Sequence, residues 1–175
     1  MLGRTRAEYL ALRRKFTPER LKLVVVAESP PASGRYFYDA AGSHGEPLFA
    51  ALMKLLGHSS ETKEDGLQKF GRNGWLLVDA TYTPVNTLDD SDRNRMIVEH
   101  YPLLRDDLES LMSDRSTPLI LIKANVCKIL EPRLLKDGFN VINCGHRIYF
   151  PAMGHQGKFL DQVRAVLSSE NVKLL

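Results

Sequence analysis

The sequence lacks the features of a secreted or membrane-bound protein. It has only two cysteines, Cys127 and Cys144, which are too few for a disulfide framework and are typical of a reducing, cytoplasmic setting. No apolar run approaches the length of about 20 residues that a membrane helix needs. The basic stretch 1–20 also has no apolar core of the kind found in secretory signals. We therefore expect a cytoplasmic protein with no membrane partner.

Several common catalytic signatures are missing as well. The sequence contains no G-x-x-x-x-G-K-[ST] phosphate loop, no G-x-G-x-x-G after its first apolar segment and no G-x-S-x-G elbow. These absences count against P-loop nucleotide hydrolysis, dinucleotide binding and α/β-hydrolase chemistry. The formal net charge is only +3, from 24 basic and 21 acidic side chains, and it permits nucleic-acid binding without requiring it.

Apolar segments of strand length alternate with helical patterns along the whole chain. Four segments are nearly continuous in apolar residues, as expected of strands buried on both faces; they span 21–27, 75–80, 118–123 and 139–144. The spacing of apolar and capping residues predicts helices at 5–16, 46–56, 91–99, 102–112, 125–136 and 158–167. This alternation predicts one α/β domain over residues 1–175, a three-layer α/β/α fold with a four-stranded parallel sheet.

Ligands of open parallel sheets bind beyond the carboxyl ends of the strands. The segment that leaves the first strand carries a carboxylate at its start. Glu28 is partly desolvated there and suited to activating water, unless it is a surface or capping residue. Arg35 is a candidate for a contact to phosphate. The aromatic run 36–38 either offers a stacking surface for a base or covers the end of the sheet.

Further candidates follow the second and the last strand. Asp79 ends a buried strand, where a carboxylate is unfavourable unless it meets a partner or a ligand or caps a turn. His146 and His155 flank a Phe-Pro pair, where an imidazole either stabilises charge on a leaving group or is a structural residue. Lys158 lies at a predicted helix start and suits phosphate. Cys144 and the two histidines are irregularly spaced and lack a fourth ligand, so we expect no metal.

These segments resemble the motifs of the uracil-DNA glycosylase superfamily. Val26-Ala27-Glu28-Ser29-Pro30-Pro31 is similar to its first motif, which in the bacterial iron–sulphur branch reads Gly-Glu-Ala-Pro-Gly. Leu76-Leu-Val-Asp79-Ala-Thr-Tyr-Thr83 resembles the strand whose terminal asparagine recognises the edge of uracil. Residues 150–159 resemble the His-Pro-Ser segment and the DNA-inserting loop that follows it.

The sequence departs from these motifs at three positions. Ala27 stands where glycine is usual, Asp79 where asparagine is usual, and Phe150 where the catalytic histidine is usual. Two cysteines also cannot supply the ligands of an iron–sulphur cluster. Asparagine both donates to and accepts from uracil, whereas an ionised aspartate only accepts. Asp79 is therefore protonated, accepts from the ring N–H alone, or selects a base with an exocyclic amine.

The resemblance implies a monomeric DNA repair hydrolase with a uracil-DNA-glycosylase-like fold and no cofactor. Such an enzyme flips a damaged base, uracil in the first place, out of DNA and hydrolyses its N-glycosidic bond. Glu28 would orient the water, Phe37 or Tyr38 would stack on the base, and Asp79 would bind the edge of the base.

The remaining roles concern the leaving group and the DNA backbone. His155, or failing that His146, would stabilise the departing base. Phosphate contacts would come from Ser29, Ser33, Arg35 and Lys158. Two other interpretations stay open: a DNA- or nucleotide-binding module that has the fold without catalysis, and an enzyme that acts on a free nucleoside or an acidic metabolite.

Overall fold

The computed structural model describes residues 3–174. Its sheet consists of β1 (Leu23–Ala27), β2 (Trp75–Asp79), β3 (Pro118–Leu121) and β4 (Asn140–Val141). The helices of the described range are α1 (Arg6–Arg14), α2 (Pro47–Leu55), α3 (Lys63–Arg72), α4 (Asp90–Glu99), α5 (Tyr101–Leu111), α6 (Ala124–Lys136) and α7 (Gln156–Ser169). Within this range, none of the helices has both the length and the apolar character needed to cross a bilayer.

The sheet is entirely parallel, with the strand order β2-β1-β3-β4. The chain runs from β1 to β2 in one direction and then crosses back over β1 to reach β3 and β4. Because parallel crossovers are right-handed, this reversal puts α2 and α3 on one face and α4, α5 and α6 on the other. Accordingly, α4 contacts α6, and α2 contacts α7. The predicted three-layer α/β/α fold with a four-stranded parallel sheet is confirmed.

The first two strands are buried along their whole length. Every residue of β1 and β2 is buried, because helices cover both faces of the sheet. Polar side chains on these strands are therefore confined to their carboxyl ends, where Asp79 lies opposite Ala27 in the register. Polar side chains of these two strands can therefore contact a ligand only at that edge of the sheet.

The last strand is shorter than the sequence predicts. Its ladder covers only Asn140–Val141, although the apolar pattern predicts 139–144. Asn143 takes over the pairing beyond that point: its Oδ1 accepts from the N–H of Leu121 over 2.9 Å, and its Nδ2 donates to the carbonyl of Leu121 over 3.0 Å. A side-chain amide therefore replaces the backbone as the partner of β3.

Two helices begin where the sequence analysis did not place them. The whole of α3 is an additional helix, capped by Thr62, whose hydroxyl accepts from the N–H of Asp65 over 3.2 Å. Asp89 caps α4 by accepting from the N–H of Asp92 over 2.8 Å, in place of the predicted cap Ser91. An aspartate and a serine are nearly equal as N-caps, so the sequence alone does not decide between them.

Candidate functional site

A cavity of about 350 Å³ opens beyond the carboxyl ends of β1 and β2. This volume is within the range of about 300–1,000 Å³ that small-molecule sites occupy. Its wall comes from the segment after β1, the end of β2, the first turn of α2, and three residues from later in the chain, Asn86, Lys123 and Phe150. The chain reverses its direction across the sheet between β1 and β3. Glu28 and Lys123, which follow these two strands, both line the cavity, so it adjoins the topological switch point at which open parallel sheets bind ligands. We call it the switch-point cavity.

Glu28 is held in the cavity wall by three side chains from other elements. It is 8% exposed. Lys123 Nζ donates to its Oε2, and Asn125 Nδ2 donates to its Oε1 over 2.7 Å. Arg93 Nε lies 3.8 Å from Oε1 and brings a second positive charge. The carboxylate is thus fixed in position, and two cations compensate its charge.

Lys123 connects β3 to α6 with an unusual backbone conformation. Its φ is 84°, in the left-handed region that glycine adopts freely and other residues adopt at a cost of about 1–2 kcal/mol. Its N–H donates to the carbonyl of Ile148 over 2.8 Å, which ties the turn to the last loop. Its side chain lines the cavity and is 30% exposed. Backbone strain of this kind in a cavity wall is typical of functional sites.

Asp79 is 4% exposed and lines the switch-point cavity. It also lines a neighbouring cavity of about 380 Å³, whose wall includes Thr81 and His100. Burial raises the pKa of the Asp79 carboxyl to about 7, against the opposing charge of Arg13. Its Oδ2 is buried and has no hydrogen-bond partner among residues 3–174. Below neutral pH the side chain is therefore protonated and can both donate and accept a hydrogen bond.

The aromatic run 36–38 is divided between the cavity and the core. All three rings are buried, but only Tyr36 and Phe37 line the cavity. The Tyr38 hydroxyl accepts from the N–H of Leu77 over 2.7 Å and donates to its carbonyl over 3.1 Å, which anchors the loop to β2. Phe37 packs edge-to-face against Phe49, with 5.7 Å between ring centroids. Phe37 thus presents a fixed ring to the cavity, and Tyr38 has a structural role.

Small polar side chains form the outer part of the cavity. Ser33 and Arg35 line it and are exposed to solvent. Ser29 lines it too, but its Oγ accepts from the N–H of Val85 over 3.3 Å and so joins the segments that leave β1 and β2. Asn86, from the second of these segments, adds an amide to the wall. Ser33 and Arg35 are the polar groups that an anionic ligand would meet first.

The last loop contributes an aromatic ring to the cavity rather than an imidazole. Phe150 lines the cavity, whereas His146 and His155 do not. Both histidines are exposed. The His155 ring stacks on Tyr149 with 5.3 Å between centroids, and Lys158 Nζ lies 3.9 Å from the centroid of the same tyrosine ring. These three side chains form a separate surface cluster beside the cavity.

The structure brings most of the candidate side chains together. Of those proposed from the sequence, the ones that line the cavity are Glu28, Ser29, Ser33, Arg35, Phe37 and Asp79. Those outside its wall are Tyr38, His146, His155 and Lys158. The sequence analysis did not single out Lys123, Asn125 or Arg93, the partners of Glu28. Lys123 does follow an apolar strand directly, as Glu28 and Asp79 do, and that position is the signal that would have found it.

Among residues 3–174, no three His, Cys, Asp or Glu side chains are grouped so that they could hold a metal ion. Comparison of the chain with known protein families finds no match, and comparison with curated proteins finds none either.

Proposed function

We propose that this protein is a DNA glycosylase that flips out a damaged base, with uracil as the first candidate, and hydrolyses its N-glycosidic bond. The observation that carries the proposal is the convergence of Glu28, Asp79 and Phe37 on one cavity. These are the side chains to which the resemblance to the uracil-DNA glycosylase superfamily assigns water activation, edge recognition and stacking. They come from separate parts of the chain, and an extruded base needs all three in one pocket.

Glu28 supplies the negative charge that the reaction requires. As the bond between C1′ and the base nitrogen breaks, positive charge develops on the sugar in an oxocarbenium-like transition state. A carboxylate that Lys123, Asn125 and Arg93 hold in place is preorganised to stabilise that charge and to orient a water molecule. Preorganisation of this kind needs no rearrangement when the charge appears.

Asp79 recognises the base edge in its protonated form. A neutral carboxyl group donates one hydrogen bond to a carbonyl oxygen and accepts one from a neighbouring ring N–H. Uracil, hypoxanthine and xanthine all present this pair of groups. The hydrogen bond to the carbonyl strengthens as negative charge develops on the departing base, so Asp79 takes on part of the role of the histidine that Phe150 replaces.

The surface beside the cavity favours DNA over a free nucleoside as the substrate. Tyr149, Phe150 and Met153 are exposed to 38%, 37% and 96%, which is unusual for large apolar side chains in one loop. Exposed aromatic and apolar side chains suit stacking on or insertion between bases. Lys158, beside Tyr149, and Arg35, at the cavity, are the cations that would meet phosphates near a flipped nucleotide.

Base release is tested with oligonucleotides that contain uracil, hypoxanthine or xanthine, in single and double strands, by counting strand breaks after alkali. We expect breaks at one or more of these bases. Glu28→Gln removes the charge and is expected to lower the rate more than tenfold, which is over about 1.4 kcal/mol of transition-state stabilisation. Glu61→Gln, at an exposed position outside the cavity, is the matched control and is expected to leave the rate unchanged. If none of the three bases is released, the proposal is wrong.

A second candidate function is a DNA- or nucleotide-binding module without catalysis. It is favoured by Phe150, which lines the cavity at the position where the superfamily has its catalytic histidine. This function predicts binding that weakens steeply with salt, as phosphate contacts do, and no base release. Filter binding over a salt series, run on the same oligonucleotides, distinguishes the two functions.

A further inference from the structure

Lys123 is the one lysine in the wall of the switch-point cavity among the described residues. Its left-handed backbone, at φ 84°, would be relaxed by glycine. Asn125 also donates to the Glu28 carboxylate, and Arg93 lies 3.8 Å from it, so Glu28 has other polar partners besides the lysine. The position places a primary amine beside a fixed carboxylate in the wall of the cavity.

The hydrogen bond between Lys123 and Glu28 gives the ammonium a direct proton acceptor. Arg93 also faces Glu28, and Asp90 in turn lies 3.7 Å from Arg93, so the cluster holds two cations and two carboxylates. Of the two side chains, only the lysine can give up its proton, since a guanidinium stays charged in proteins. A substrate that closes the cavity excludes water, and a neutral pair is then easier to bury than a charged one. Proton transfer from Lys123 to Glu28 leaves a neutral amine, which is a nucleophile.

We propose that Lys123 forms a covalent imine with the abasic deoxyribose and that the protein thereby cleaves the DNA strand as a lyase. The substrate class is an aldehyde, the ring-opened form of the sugar that remains after the base has left. The inference rests on the proposed function for the origin of this sugar, although the step itself needs only an abasic site in DNA.

The chemistry balances with the groups present. The amine nitrogen of Lys123 attacks C1′, and the C1′ oxygen leaves as water with one proton from the amine and one from the Glu28 carboxyl. The resulting iminium acidifies C2′, whose proton passes to the Glu28 carboxylate. The bond between C3′ and its oxygen then breaks, and the 3′ phosphate leaves with the electron pair. Water finally hydrolyses the imine and returns the free amine, with no oxidant or reductant consumed.

A preformed abasic oligonucleotide tests the step independently of base excision. The protein is incubated with it in the presence of sodium cyanoborohydride, which reduces the imine to a stable secondary amine. We expect a protein–DNA adduct on a denaturing gel, with the DNA attached to Lys123 by peptide mass mapping. Without the reductant, we expect strand cleavage at the abasic site at neutral pH.

Two lysine variants complete the experiment. Lys123→Arg keeps a cation beside Glu28 but cannot form an imine, so it is expected to abolish both the adduct and the cleavage. Lys128→Arg, at an exposed position on α6, is the matched control and is expected to leave both unchanged. Urea unfolding of each variant verifies that it folds, and mapping of the adduct in the unaltered protein does not depend on any variant.

The outcomes separate this inference from the proposed function. No adduct, an adduct on another amine, or an adduct that persists in Lys123→Arg would overturn the inference, even if the protein releases uracil. An adduct on Lys123 together with no release of any tested base would uphold the lyase step and refute the glycosylase proposal.

Discussion

Asp79→Asn tests whether the buried carboxyl at the end of β2 works in its protonated form. Asparagine has nearly the same shape as aspartic acid and stays neutral at every pH. The ionisable groups that act on Asp79 are Arg13, which lowers its pKa, and Asp107 and Glu28, which raise it. The substitution therefore removes the titration of this one group and leaves its charged neighbours in place.

The expected effect on stability follows from the pKa of Asp79. It is about 7 in the folded protein against an ordinary value of 3.8. Between these two values the folded protein keeps a proton that the unfolded chain has lost, so stability falls as pH rises through this window. With about 1.4 kcal/mol per pKa unit, the full loss is about 4 kcal/mol, reached above pH ~7. The Asn variant does not have this loss.

Urea unfolding of the two proteins at a series of pH values measures the difference. Between about pH 5 and about pH 8, the unfolding free energy of the unaltered protein should fall by about 3 kcal/mol relative to Asp79→Asn. Other carboxylates titrate alike in both chains and cancel in the comparison. Curves that stay parallel over this range would mean that Asp79 ionises at its ordinary pKa, and the argument for a neutral carboxyl would be refuted.

The same variant has a predicted effect on base release. The unaltered protein should lose activity as pH rises through about 7, because an ionised Asp79 can no longer donate to the base carbonyl. Asp79→Asn retains a donor and an acceptor at every pH. Its rate of base release should therefore not decline as pH rises, and at low pH it should be similar to the rate of the unaltered protein. If the rate of Asp79→Asn declines with pH in the same way, the decline is due to a different group.

Three further comparisons test single features of the structure. Phe37→Leu keeps an apolar side chain but removes the flat ring. Base stacking is worth about 1–3 kcal/mol, so the affinity for uracil DNA, measured by titration, should weaken about tenfold or more. The unfolding free energies of the two proteins should be equal for this comparison. Arg13→Met removes the partner of the buried Asp107, which accepts two hydrogen bonds of 2.7 Å from the guanidinium. The unfolding free energy should drop by about 3–5 kcal/mol, and Asp107→Leu on the same chain should restore much of it. Lys123→Gly should be more stable than Lys123→Ala by about 1 kcal/mol in urea unfolding. Both variants lose the ammonium, but only alanine keeps the strain at positive φ. Equal stabilities would mean that the turn is not strained.

Much of the sheet can be predicted because its signal is local. The segments 21–27 and 75–80 are apolar throughout, and burial on both faces of a parallel sheet requires such runs. The same pattern at 139–144 was misleading, because the side chain of Asn143, rather than its backbone, pairs with Leu121. An apolar run predicts burial reliably, but it does not state which atoms form the ladder.

The positions of Glu28 and Asp79 in the site could also be predicted from the sequence. Asp79 is the last residue of a buried strand, and Glu28 directly follows one. Parallel strands place these positions at one edge of the sheet. The histidines of the last loop could not be placed in this way. His155 stacks on Tyr149 instead of entering the cavity, and that choice depends on how the loop folds against α7, which no local pattern specifies.

The pairing of Glu28 with Lys123 depends on the order of the strands. The two residues are 95 positions apart, and they meet only because β3 lies directly beside β1. If β3 paired at the other edge of the sheet, Lys123 would be two strands away from Glu28, roughly twice the ~4.8 Å strand spacing. The carboxylate that activates water and the amine proposed to attack the sugar are thus neighbours by topology. Exchange of either residue should therefore alter the chemistry of the other, and double-mutant cycles on base release and on the free energy of unfolding should show strong coupling between Glu28→Gln and Lys123→Arg.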